Sequence, residues 1–336
     1  MTAPDDEPTR GGGESDARGP RPDGGVGEVP DTGVGRALAS RRVRDDGAAS
    51  ETERPLTGRE ASERTASTGR AASRREAVVG FARREYRVAA RSRWPVGLAA
   101  LFAAFTVGVV QYGASGAGAS TVPAVVASVA ALSTYVVPLA ALAFGYATVV
   151  GPATRGELDV LYALPVPRWT VVVGAFAGRA LTFTGAVCIG YAFGGAALYR
   201  VGGLDAVNAF LPTVAAAVLA GVAFLAIAVL VSTVAGEKAS ALGGVLLAWA
   251  WFVLVHDVVS LTAVVVLDLP ASALAALVAA NPADCLRVLG MAGVPSASGA
   301  AGALGATAVS VPVVVVALLA WITLALAAAA RSTSTR

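Results

Sequence analysis

The chain has 336 residues, a hydrophobic fraction of 55% and a mean hydropathy of +0.66. Its charge is unevenly spread: 18 of 26 Lys and Arg and 16 of 23 Asp and Glu precede Trp94, so the 243 residues from Trp94 onward hold only 15 charges. That is too few for a soluble domain of this size, and a net charge of +3 gives no electrostatic footprint for nucleic acid. The composition therefore predicts an all-α integral membrane protein with no nucleic-acid partner.

Residues 1–75 are rich in Gly, Pro, Ser, Thr, Asp, Glu and Arg and have no apolar periodicity. Such a segment buries too little apolar surface to offset its conformational entropy, so a disordered polar tail is expected; a start codon further downstream would remove part of it. The first apolar run begins near residue 94. A cleavable signal peptide at Met1 is thus not expected, and the first membrane helix would act as its own insertion signal. Residues 76–93 read as a basic amphipathic cytoplasmic interface helix. At 100° per residue Arg83, Arg84, Arg87 and Arg91 share one face. Val78, Phe81, Ala82, Tyr86, Val88 and Ala89 occupy the other, with Glu85 as the exception.

Six runs are long enough to cross roughly 30 Å of hydrocarbon, and together they make a six-helix transmembrane domain over 94–330. They are about 94–111, 122–150, 171–199, 207–234, 239–267 and 304–330. Residues 271–280 are too few to span and read as re-entrant or interfacial. With the N-terminus inside, Arg83, Arg84, Arg87, Arg91, Arg93, Arg155, Arg168, Lys238, Arg331 and Arg336 fall on the cytoplasmic side. Only Arg200 and Arg287 fall outside, so the basic residues predict that both termini are cytoplasmic.

Between the second and third spans lies GPATRGELDVLYALPVPRWT (151–170), a charged hairpin between two apolar runs. Within it LDVLYALPVPRW can form a short helix ended by Pro165, with Leu158, Leu161, Tyr162 and Leu164 as an adhesive surface flanked by Glu157, Asp159 and Arg168. One reading is a coupling helix seated in a cytosolic partner; the other is a solvated loop resting on the bilayer. Arg179 lies about 12 Å into the third span, a depth at which a charge faces the bundle interior or snorkels back to the surface.

His256 and Asp257 are the only His–acid pair, read as markers of the water interface near the outer end of the fifth span. Trp249 and Trp251 are expected as packing aromatics. Asn281-Pro282 is a turn signal opening a short capped outer helix with Asp284 in its first turn and Arg287 near its end. Of the two cysteines, Cys188 is expected to be a buried small hydrophobe. Cys285 alone has no partners for a metal, and no Cys/His cluster has structural-metal spacing. No catalytic set, cofactor site or metal site is predicted. A G-x-x-x-x-G-K-[ST] phosphate loop is missing because the only lysine, Lys238, lies between Glu237 and Ala239, so any ATP would be hydrolysed by another subunit.

GELDVLYALPVPRWTVVVGAFAGRA, VSTVAGEKASALG, WAWFVLVHDV and NPADCLRVLG occur in this order. Together they resemble the ABC-2 type transporter permeases, and within them the permease of the nitrous-oxide reductase maturation system, over about 76–330. The resemblance implies a homodimer in the cell membrane clamped by two copies of a separate ABC ATPase, exporting cargo. It implies that the loop at 151–170 docks in the ATPase cleft through Glu157, Leu158, Asp159, Leu161, Tyr162 and Arg168. The helix at 76–93 would lie along the bilayer and also meet the ATPase. The outer segment 271–290, with Asn281, Pro282, Asp284 and Arg287, would cap the path. Cargo would be a sulfur compound or a species for copper-site assembly, with an extracytoplasmic maturation protein as a further partner. Three alternatives stay open: an exporter of another cargo (drug, lipid or ion), an ATP-independent secondary transporter, and a membrane-embedded enzyme or sensor. The last two need ionisable paths or clustered catalytic groups that the spans lack.

Overall fold

A computed structural model describes residues 58–115, 122–156, 167–267, 271–294 and 309–334, all within the compact unit Leu56–Arg336. In chain order the helices are α1 (Gly58–Arg91), α2 (Trp94–Ala114), α3 (Val122–Gly145), the short α4 (Val150–Thr154), α5 (Arg168–Val234) and α6 (Lys238–Ala250). A π-helical turn, Trp251–Val255, leads into α7 (His256–Leu267), then α8 (Ala271–Ala279), α9 (Pro282–Gly290) and α10 (Val311–Ser334). No strand occurs among the described residues. Among the described residues five helical stretches are long and apolar enough to cross a membrane: Trp94–Ala114, Val122–Thr154, Arg168–Val234, Lys238–Ala263 and Val311–Thr333.

Two boundaries differ from expectation. α1 already begins at Gly58, so 58–75 is helical rather than part of a disordered tail. This stretch is short of apolar residues but rich in Ala, Glu and Arg, good helix formers, with Arg59/Glu63 and Glu60/Arg64 at favourable i,i+4 spacing. The last helix begins at Val311, while 304–308, expected as its start, lie outside the described residues.

The expected third and fourth spans are continuous as α5, which packs against α1, α2, α3, α9 and α10 and forms the spine of the bundle. Its 67 residues are not one rod. Gly202 (φ −138°, ψ 15°) and Gly203 (φ 65°, ψ −154°) leave the helical region, and the positive φ at Gly203 suits a residue without Cβ. Across this break the Tyr191 and Phe210 rings stack at 5.9 Å, whereas 19 residues of straight helix would separate them by about 28 Å. A side chain at Gly221 would also collide with Phe183. The two arms therefore lie side by side as a helical hairpin.

Small residues and aromatics hold the bundle together. Gly174 and Gly178, one turn apart on the first arm of α5, admit α1 so closely that a Cβ at Gly178 would sit 2.6 Å from the Ala82 carbonyl oxygen. This is the close approach that small-xxx-small spacing permits between helices. Along the same arm the rings of Phe144, Phe183, Phe102, Tyr191 and Phe210 form a chain with centroid spacings of 5.9–6.4 Å. Hydroxyls inside it are satisfied: Thr106 Oγ1 donates to the Gly190 carbonyl (3.1 Å), and Tyr191 Oη and Ser133 Oγ share a 2.7 Å hydrogen bond. A second set joins α5, the π turn and α10 through Phe224, Phe252 and Trp321.

Two smaller expectations are corrected. Cys188 is exposed on α5 and Cys285 is the buried thiol, because position 188 falls on the face of the first arm turned away from α2 and α3. Trp249 does pack, its Nε1 donating to the Tyr135 carbonyl at 3.2 Å. Trp251 is 51% exposed, two residues further round the helix and outside the packed stripe.

Candidate functional site

The ion pairs among the described residues gather near the two ends of the bundle. At one end α1, α4, the start of α5, the start of α6 and the end of α10 converge. Ser232 Oγ accepts from the Val149 and Val150 amides (3.0 and 3.1 Å), pinning the elbow after α3 to the end of α5. Ser332 Oγ donates to Thr233 Oγ1 (3.0 Å), and Arg168 Nη1 lies 3.5 Å from the Thr333 carbonyl, which ties in the end of α10. α6 opens on a reciprocal cap between Glu237 and Ser240, satisfying amides that a helix start leaves without partners. Of the expected coupling residues, Glu157, Leu158, Asp159, Leu161 and Tyr162 lie outside the described residues. Arg168 stands at the first position of α5, at this end. Arg83, Arg84, Arg87 and Arg91 are all exposed on α1.

Arg179, whose partner the sequence left unnamed, pairs with Glu85. Its Nε lies 2.8 Å from Glu85 Oε1, with the two side chains 20% and 16% exposed. Its Nη1 donates to the Phe144 carbonyl (2.9 Å), and the guanidinium sits 5.7 Å from the Phe144 ring centre. The lone acid on the packed face of α1 thus neutralises the lone arginine inside the third expected span. The close helix approach at Gly178 brings them together. Tyr86 and Val88, assigned to the apolar face with Phe81 and Ala82, are instead exposed, because contact with α5 runs along the Phe81–Ala82–Glu85–Ala89 side.

At the opposite end two features that the sequence kept apart form one polar knot. The π turn widens the helix by one residue, rotating the next helix by about 100°, and presents the Phe252 carbonyl and His256 to α9. Asn281 caps α9: its Oδ1 accepts from the Ala283 amide (2.9 Å), with Pro282 at the following position as helix starts favour. That fixes its amide, whose Nδ2 donates to the Phe252 carbonyl (2.9 Å) and Asp284 Oδ2 (3.0 Å). His256 Nδ1 lies 3.1 Å from the same carboxylate oxygen and 2.9 Å from Asn281 Nδ2, so its tautomer decides whether it donates to the carboxylate or accepts from the amide. Arg287 then bridges Asp284 Oδ1 (3.0 Å) and Asp257 Oδ2 (3.0 Å). His256 is buried. It belongs to the knot, while Asp257 beside it keeps a side chain 36% exposed.

Burial pushes the Asp284 carboxyl up to about 6 against the pull of Arg287. Burial likewise raises the Cys285 thiol to about 12, where it stays protonated and inert; its Sγ–H points to the Val278 carbonyl (3.3 Å). Donor atoms of His256, Asp257 and Asp284 lie within 4.8 Å of one another, but the guanidinium of Arg287 already supplies the cation between the two carboxylates. The arrangement is that of an ion-paired clamp holding α7 to α9, with α9 in turn fixed to α5 by Thr213 Oγ1 donating to the Gly290 carbonyl (2.8 Å).

The fold is thus a multi-pass helical bundle of the transporter-permease class: apolar helices around a hairpin spine, a basic helix strapped to one end and a short-helix clamp at the other. The profile of the family described as "ABC-2 family transporter protein" matches residues 80–336, and the chain belongs to that family. It is similar to the probable ABC transporter permease protein NosY of Pseudomonas aeruginosa, 37% identical over 230 residues, covering 63% of this chain and 80% of the relative. It is also similar to the protein of the same name from Stutzerimonas stutzeri, 35% identical over 226 residues, covering 64% and 81%. The chain is accordingly a permease component of an ABC transporter, a class that works in the membrane with an ATPase subunit.

Proposed function

We propose that this chain is the membrane-spanning subunit of an ATP-driven ABC-2 exporter that serves nitrous-oxide reductase maturation. The carrying observation is the convergence of α4, the starts of α5 and α6, the end of α10 and the arginine face of α1 at the end where α4 and the start of α5 flank residues 157–166. This is the arrangement expected of a surface that receives a motor. The two arms of α5 are each roughly 45–50 Å long by helical rise, enough for a crossing apiece. Counted so, the bundle has six crossings, with both termini and the hairpin cytoplasmic and the α7–α9 clamp outside. The sequence resemblance and the two relatives named NosY support the maturation assignment.

In this reading the permease works as a homodimer with two ATPase copies. Each hairpin, through Glu157, Leu158, Asp159, Leu161, Tyr162 and Arg168, sits in an ATPase cleft. When ATP draws the two ATPases together, the pull enters at Arg168, the first residue of α5. α1 moves with that arm, because Gly174, Gly178 and the Glu85–Arg179 pair bind them as one body. The spans then exchange between two packings, while the knot of His256, Asn281, Asp284 and Arg287 keeps the outer cap attached to the moving helices. Hydrolysis belongs to the partner; this chain moves cargo and catalyses nothing.

Purification of the full chain in mild detergent from its own cells tests the reading. An ATPase subunit should co-elute at one copy per permease. Elution of the permease without any ATPase would contradict it and favour a secondary transporter.

A further inference from the structure

Beside the Arg179–Glu85 pair lie two adjoining cavities of about 240 and 220 Å³, which share Glu85, Val88, Tyr146, Ala147 and Arg179 along their common wall. Their characters differ. The first is ringed by cations from three separate elements: Arg84 on α1, Arg155 after α4 and Lys238 opening α6. The second is lined by Ala89, Trp94, Ala143 and Phe144 and is largely apolar. Arg179 is already committed to Glu85 and to the Phe144 carbonyl. Arg84 and Lys238 are exposed and have no ion-pair partner among the described residues. Lys238, the only lysine of the chain, is brought beside Gly151.

We infer that this double cavity binds an anionic phospholipid, the phosphate in the cationic chamber and an acyl chain against the apolar wall. Charge complementarity selects the headgroup: among the described lining residues Glu85 is the one carboxylate and is taken up by Arg179, while Arg84 and Lys238 are cations without an ion-pair partner among the described residues. Residues 84, 155 and 238 are far apart in sequence, so their convergence is a product of the fold and not of one basic run. The apolar continuation selects a lipid over a free anion. Trp94 and Val88, which border the second chamber, are more than half exposed and lie on a bundle whose outer surface is apolar, giving a chain a lateral way out. The ligand would bridge α1, the α3–α4 elbow, α5 and α6, the elements that meet at this end. The inference needs only membrane placement and stands whether or not an ATPase docks here.

The test uses the full chain, delipidated in detergent, with thermal stability and native mass spectrometry as readouts. Phosphatidylglycerol, phosphatidylcholine and inorganic phosphate are titrated separately. Phosphatidylglycerol should stabilise the protein and remain bound, phosphatidylcholine much less, and inorganic phosphate not at all at matched concentration. Arg84→Gln with Lys238→Gln, both exposed and so harmless to folding, should weaken phosphatidylglycerol binding roughly thirtyfold from the loss of two surface charges. Arg200→Gln, at the opposite end of the bundle, should leave it unchanged. Equal binding of the two lipids, an undiminished affinity in the double variant, or a full response to inorganic phosphate alone would each overturn the inference.

Discussion

Glu85 and Arg179 show how a single residue pair can dominate the behaviour of a helix interface. Each charge is mostly withdrawn from water, and each is tolerable only because the other is 2.8 Å away. Removing one leaves a poorly solvated charge, a cost on the order of 2–3 kcal/mol. Glu85→Gln and Arg179→Gln should therefore each lower the unfolding midpoint in detergent. The double substitution should lose clearly less than the sum, a coupling that a double-mutant cycle reads directly; additive losses would show that the pair contributes nothing. Asp284 makes a different prediction. Burial raises its carboxyl from the ordinary 3.8 to about 6, so the folded state holds this proton more tightly than the unfolded chain does. The group's contribution to stability is therefore largest below about pH 4 and is lost as pH rises through 6. The melting temperature of the wild type should fall more steeply between pH 5 and pH 7 than that of Asp284→Asn, and parallel curves would contradict the assignment.

At the scale of elements, the sequence was most legible where one period or one signal decides the outcome. The Asn281-Pro282 start and Asp284 in the first turn read directly as a capped helix, and α9 begins at Pro282. The arginine stripe of α1 was equally readable, since four cations on one face leave that face no place in a core. Its start was not, because Ala, Glu and Arg between 58 and 75 satisfy both a polar tail and a solvated helix, and only propensity separates them. The knot escaped for a physical reason. His256 and Asn281 are 25 residues apart and meet only because a π turn rotates His256 toward α9, and no residue type in WFVLV signals that turn. Two clues were present but unjoined: the one acid among the apolar residues of α1, and the one arginine deep in a span beside Gly174 and Gly178. Pairing these two odd charges is enough to place α1 against the first arm of α5.

At the scale of the whole molecule, α5 links the ends. Its first residue stands at the end where α1, α4 and the start of α6 meet, its first arm carries α1, and its break at Gly202–Gly203 turns it back so that the second arm holds α9 through Thr213. Force applied at Arg168 therefore reaches the opposite end through one continuous element and one pair of glycines, with the aromatic chain from Phe144 to Phe210 stiffening the route. In the proposed function the 151–170 hairpin is where a partner ATPase drives this permease. The most direct measurement is stimulation of that ATPase's hydrolysis rate by the permease in proteoliposomes, comparing the wild type with Tyr162→Ala plus Arg168→Glu. The double variant should insert normally and lose roughly tenfold or more of the stimulation, as removal of interface anchors does. Undiminished stimulation by a correctly inserted double variant would contradict the coupling role of the hairpin.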